Sequence, residues 1–95
     1  MNIGETMKIK QGFRLKKING QDFVVCDRNI NQNYNAMIQL TEHSAFLWEL
    51  LVNKNVTKEE MLNELLAKFD ISTILALNDI NIFIKTLKES GILEE

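Results

Sequence analysis

The chain holds one histidine, His43, and one cysteine, Cys26, and these two side chains bound any nucleophilic or metal chemistry. A thiolate or imidazole nucleophile needs a base or an orienting partner, and a zinc site needs several ligands at short, recurrent spacing. Cys26 has no CxxC or His motif beside it and falls in an alternating apolar run, so it reads as a core residue. His43 lies in a polar break, Thr41-Glu42-His43-Ser44, and reads as a solvent-facing residue in the first turn of a helix. Paired carboxylates do acid–base work only across a cleft, and Glu59, Glu60 and Glu64 read instead as the solvated face of a helix. The four glycines, at 4, 12, 20 and 91, are too scattered for a phosphate loop. No cofactor is expected, and the pattern points away from an enzyme.

The chemistry that remains is that of the main chain. Residues 35–40, Asn35-Ala36-Met37-Ile38-Gln39-Leu40, form a short alternating run between an Asn-rich loop, 28–34, and the polar break. A strand at a sheet edge offers unpaired N–H and C=O groups to which an extended peptide can add. The competing reading is an edge that is merely short and covered by the neighbouring loop.

The elements that would hold such an edge can be read from the same chain. In FRLKKINGQDFVVCD, residues 13–27, Asn19-Gly20 supplies the two positive-φ positions of a type I′ turn. Ile18 then faces Gln21, Lys17 faces Asp22, Leu15 faces Val24 and Phe13 faces Cys26. Phe13, Leu15, Val24 and Cys26 share an apolar face, while Arg14 and Lys16 share the other with Phe23 and Val25. Residues 35–40 add the third strand. Three helices follow. Thr41 caps the first, whose Phe46, Leu47, Trp48, Leu50, Leu51 and Val52 cover most of its circumference. Thr57-Lys58-Glu59-Glu60 is a capping box opening the second, with Met61, Leu62, Leu65, Leu66 and Phe69 at helical spacing. Ser72 or Thr73 caps the third, which ends at Gly91, and Ile92 and Leu93 beyond it fold back on the body.

On the last helix Ala76, Leu77, Ile80, Phe83, Ile84 and Leu87 fall in one arc and face the core. Leu75 and Ile82 fall on a neighbouring stripe with Asp79 and Thr86. They are either scattered surface residues or the wall of a groove. The element order gives an α+β class, a winged-helix-like three-stranded antiparallel sheet followed by three helices.

A length of 95 residues suits a single domain over 1–95, with residues 1–7 flexible, and the composition, 45% hydrophobic and 25% charged, is that of a globular chain. No apolar run reaches the length of about 18 residues that a membrane span needs. The first dozen residues lack a secretion signal, and a lone thiol fits a reducing interior, so the expected location is cytoplasmic. Charge is unevenly spread. Residues 1–40 carry six basic and three acidic groups and residues 41–95 carry five and ten, which together give the net −2. A DNA-reading helix needs cations reaching phosphates and bases, yet residues 72–90 hold only Lys85 and Lys88 against Asp79 and Glu89. Nucleic acid and membrane are therefore not expected partners.

The stretches MKIKQGFRLKKINGQDFVV, NAMIQLTEHSAFLWELL, VTKEEMLNELLAKFDIS and DINIFIKTLKESGILEE together resemble the PqqD-like family, the small peptide chaperones also called RiPP recognition elements. The resemblance covers about residues 7–95 and is strongest from Met37 to Leu51 and from Asp79 to Leu93. The chain departs from it at Ala36 and Ser44, where the family often has glycine. The resemblance implies a non-catalytic module that binds the leader segment of a ribosomally made precursor peptide and presents it to a radical S-adenosylmethionine enzyme. The leader would add as a strand beside the third strand and lie on the last helix. Asn35, Ala36, Met37, Ile38 and Gln39 would then offer backbone groups, Leu75 and Ile82 apolar contact, and Asn78, Asp79 and Thr86 polar selectivity. The basic hairpin face, Arg14 and Lys16, would steer an acidic leader or dock the enzyme. The alternatives are a winged-helix DNA-binding domain, or a homodimer formed by pairing of the same edge strand with its copy.

Overall fold

The computed structural model describes residues 6–26 and 38–94. Its first well-formed unit is the hairpin of β2 (Phe13–Ile18) and β3 (Gln21–Cys26). Asn19 and Gly20 take φ of 51° and 78°, the two left-handed positions that match a tight turn to the twist of its strands. The register pairs Phe13 with Cys26, Leu15 with Val24, Lys17 with Asp22 and Ile18 with Gln21, as the sequence dictates. An ion pair from Lys17 Nζ to Asp22 Oδ1, 3.6 Å, closes the turn end. Val24 is buried on the inner face with Phe13, Leu15 and Cys26 half-buried beside it, and Arg14 and Lys16 stand exposed on the outer face.

β4 (Ile38–Leu40) runs antiparallel to β3, with Leu40 opposite Asp22, Gln39 opposite Phe23 and Ile38 opposite Val24. The sheet order is β2-β3-β4. The expected strand over 35–40 is thus seen in its last three residues. Asn35, Ala36 and Met37, and the loop at 28–34, lie outside the described residues.

A second small sheet was not anticipated. β1 (Thr6–Ile9) lies between β5 (Val56–Thr57) and β6 (Leu93–Glu94), both antiparallel to it. The expected three-stranded antiparallel sheet and three helices are present, this second small sheet is added to them, and the class is α+β. Strands of two to four residues are too short to show a period, and only distant pairing makes them strands. Thr6 and Met7, read from sequence as part of a flexible end, belong to β1.

The helices are α1 (Glu42–Asn53), α2 (Lys58–Lys68) and α3 (Thr73–Glu89). Thr41 caps α1 by accepting the amide of Ser44, and Ser72 caps α3 by accepting that of Leu75. At α2 both bonds of the capping box form: Glu60 N–H donates to Thr57 Oγ1 at 3.1 Å, and Thr57 N–H to Glu60 Oε1 at 3.0 Å. The Thr57 amide, and then its hydroxyl, hold the Glu60 carboxyl below the usual glutamate range. A lowered folded-state value means this support is present above the ordinary glutamate range and is lost as pH falls through the lower, folded value. In a carbon-13 NMR titration Glu60 should therefore titrate below a free glutamate. Thr57→Ala should move it part of the way back, since the backbone donor remains, and should cost the fold about 1 kcal/mol.

α3 ends in a Schellman motif at Gly91, φ 72°, where Gly91 N–H reaches the Lys88 carbonyl and Ile92 N–H that of Leu87. Ile92 and Leu93 are buried, so the chain does fold back on the body. The core joins Val24 and Leu40 from the sheet to Leu47, Trp48 and Leu51 of α1, Met61 and Leu65 of α2, and Ala76, Ile80, Phe83, Ile84 and Leu87 of α3. Val52, expected within the buried circumference of α1, is instead 48% exposed at the helix end.

Candidate functional site

β4 closes one end of its sheet, and among the described residues its far border pairs with no strand. Its three residues are held from one side only. Leu40 is buried and Ile38 half-buried, while Gln39 points to the outer face and donates its amide to Gln21 Oε1 at 2.8 Å. One residue further on, Thr41 caps α1, and that helix is fixed in the core by Ala45, Leu47, Trp48 and Leu51. The strand therefore cannot drift without disturbing a helix face buried in the core.

His43, three residues beyond β4, ties this unit to α3. Its Nδ1 lies 2.7 Å from Asp79 Oδ2. An ionised carboxylate only accepts, so the ring nitrogen is the donor. The ring packs edge-on to Phe69 with centroids 4.4 Å apart, and Phe69 in turn packs edge-on to Phe46 at 5.5 Å. The start of α1, the end of α2 and the middle of α3 therefore meet at one point. The expectation of a solvent-facing His43 is corrected: its side chain is 26% exposed and engaged. Nothing in local spacing signals this contact, because its partners are 36 residues apart.

The bond ties α3 to the first turn of α1, which follows the strand directly. Three extended residues span at most about 10 Å, so the end of β4 lies within that reach of the residue holding Asp79. Leu75 and Ile82 stand four residues before and three after Asp79, hence on its face of the helix. They are 56% and 55% exposed, well above the buried Ala76, Ile80, Phe83, Ile84 and Leu87 of the neighbouring arc. Asn78 is exposed, and Asp79 and Thr86 are half-buried at the flank. Of the sequence-derived site residues, Ile38, Gln39, Leu75, Asn78, Asp79, Ile82 and Thr86 are thus described. On α3, Leu75, Asp79, Ile82 and Thr86 form one stripe of an aliphatic, a carboxylate, an aliphatic and a hydroxyl, with the amide of Asn78 at its edge. Ile74, 79% exposed on the adjoining flank of α3, was missed because it precedes the arc from which the helix was read.

Among the described residues no three His, Cys, Asp or Glu side chains converge as a metal site, and no helix is long and apolar enough to cross a membrane. What the described residues offer is a three-residue main-chain border that pairs with no strand among them, and a mixed apolar and polar face on α3.

The architecture is shared with a solved structure. The structure described as "TbiB1 in Complex with the TbiA(beta) Leader Peptide" superposes with a TM-score of 0.70 over 92% of this chain and 94% of that one, at 17% identity. At that identity the likeness speaks for the fold. The family profile described as "Coenzyme PQQ synthesis protein D (PqqD)" matches residues 29–93, more than half of the chain, and the chain belongs to that family. No curated protein matches it.

Proposed function

We propose that this protein is a non-catalytic recognition module that binds the leader segment of a ribosomally synthesised precursor peptide. The leader extends the sheet at β4 and lies along the Leu75–Ile82 stripe of α3, and the module presents it to a modifying enzyme of the radical S-adenosylmethionine class. The observation that carries this reading is the border of β4 that pairs with no strand among the described residues, followed directly by the helix that His43 ties to Asp79 of α3. Family membership and the shared fold with a protein solved holding a leader peptide support it. Affinity in such a mode comes from main-chain bonds, and selectivity from a few side-chain seats. Asn35, Ala36 and Met37 would lengthen the same border.

The test is an NMR titration of the isotopically labelled protein with a synthetic leader taken from a short precursor gene beside its own. Amide shifts should concentrate at Ile38–Leu40 and at Leu75, Asn78, Asp79, Ile82 and Thr86. Shifts confined to the outer hairpin face around Arg14 and Lys16 would move the leader elsewhere. Mass increase of the full precursor by the neighbouring enzyme, dependent on this protein, tests the second half of the reading.

A further inference from the structure

We infer that the His43–Asp79 pair fixes the chemical class of the leader: a segment with a lysine or arginine placed between two apolar residues, each two positions away. This rests on the strand-addition reading above and names its ligand. Asp79 is the one charged residue in the stripe of Leu75, Asn78, Asp79, Ile82 and Thr86. One bond from His43 occupies Oδ2, out of about four acceptor sites that a carboxylate has. The side chain remains 32% exposed, so the rest is reachable from the surface of α3. An apolar residue laid over this carboxylate would strip water from it without giving a donor, and an acidic one would repel it. A cationic donor satisfies both charge and geometry, and bonds of that kind are the stronger ones.

Spacing sets the pattern. With a rise of about 1.5 Å per residue, Leu75 and Ile82 stand about 6 Å and 4.5 Å along α3 from Asp79. Alternate side chains of an extended peptide stand about 6.6 Å apart on the same face. For a peptide lying along α3, a residue facing Asp79 therefore has its second neighbours on either side opposite Leu75 and Ile82, within the play of long side chains. His43 acts through Asp79 and is a positioning residue: its ring, set edge-on against Phe69, orients the carboxylate while linking α1 to α3.

Selection from a random peptide library by mRNA display tests this with four chains: the native protein, Asp79→Asn, Asp79→Lys and His43→Phe, each checked for folding by circular dichroism. The native chain should enrich peptides with Lys or Arg two places from an apolar residue on each side. Replacing that cation by norleucine should weaken binding about tenfold or more. Asp79→Asn should lose the cation preference, and Asp79→Lys should exchange it for Asp or Glu, with the apolar pair kept in both. His43→Phe, which retains a ring against Phe69, should keep the apolar pair and relax the cation preference. A merely structural role for His43 would lower all affinities alike and leave the preference intact. Enriched peptides that protect α3 yet carry no central donor overturn this inference and leave strand addition standing. If the native chain enriches no peptide that reaches α3, the reading beneath falls as well.

Discussion

Ile82→Asp lowers the affinity for the leader by about 30- to 150-fold while the melting temperature stays close to that of the native chain. The two halves of this expectation have separate causes. Ile82 is 55% exposed in the free protein, so the fold draws little from it. In the complex that exposed part would be covered, and the new carboxylate would be desolvated beside Leu75. Loss of apolar burial and an unpaired polar group together amount to about 2–3 kcal/mol, which sets the fold-change. Isothermal calorimetry with the synthetic leader measures the first half and a thermal scan the second. Lys85→Glu with Lys88→Glu, at exposed positions toward the end of α3, should change leader affinity little. An Ile82→Asp chain that binds as well as the native one would remove α3 from the site.

Trp48→Ala acts in the opposite way, through the fold. Trp48 is 1% exposed and, with Leu47 and Leu51, fixes α1 in the core. Truncating a buried aromatic of this size costs about 3–5 kcal/mol, out of a total stability of about 5–15 kcal/mol for a domain of this length. A melting temperature lower by about 15 °C or more follows. Val52→Ala on the same helix, where the side chain is 48% exposed, should shift melting by only a few degrees. Binding should fall with the folded fraction in Trp48→Ala, because α1 carries at its head the Thr41 cap and His43. Circular dichroism melting separates this loss from that of Ile82→Asp, which leaves the fold in place. A Trp48→Ala chain as stable as the native one would show that α1 is held by something other than this packing.

How much of this was legible in the sequence depends on the range of the interactions. The hairpin could be read to the residue, because Asn19-Gly20 fixes the register of everything up to Phe13 and Cys26. The Thr57–Glu60 box and the Gly91 terminus could be read because caps act within one turn. The division of α3 into a buried arc and an exposed stripe followed from the helical period and placed Leu75 and Ile82 correctly on the outside. What could not be read depends on pairs brought together by the whole chain. The sheet built from β1, β5 and β6 consists of segments without a period of their own. His43 lies in a polar tetrapeptide whose local reading is solvent, and its engagement with Asp79 and Phe69 appears only once three helices have packed. The candidate site was therefore visible as a helix stripe and a strand, but not as a joint held by a histidine.

The position of β1 bears on how the molecule assembles. Its first half pairs with residues 56–57 and its second half with residues 93–94, so the strand met earliest along the chain is completed by nearly the last. Closing so long a loop is entropically costly, and contacts of such separation form late. The hairpin and the helices can organise before this clasp shuts, and the clasp, with few bonds and short strands, is where transient opening of the native state should begin. Such opening would start in the other sheet and leave the border of β4 intact.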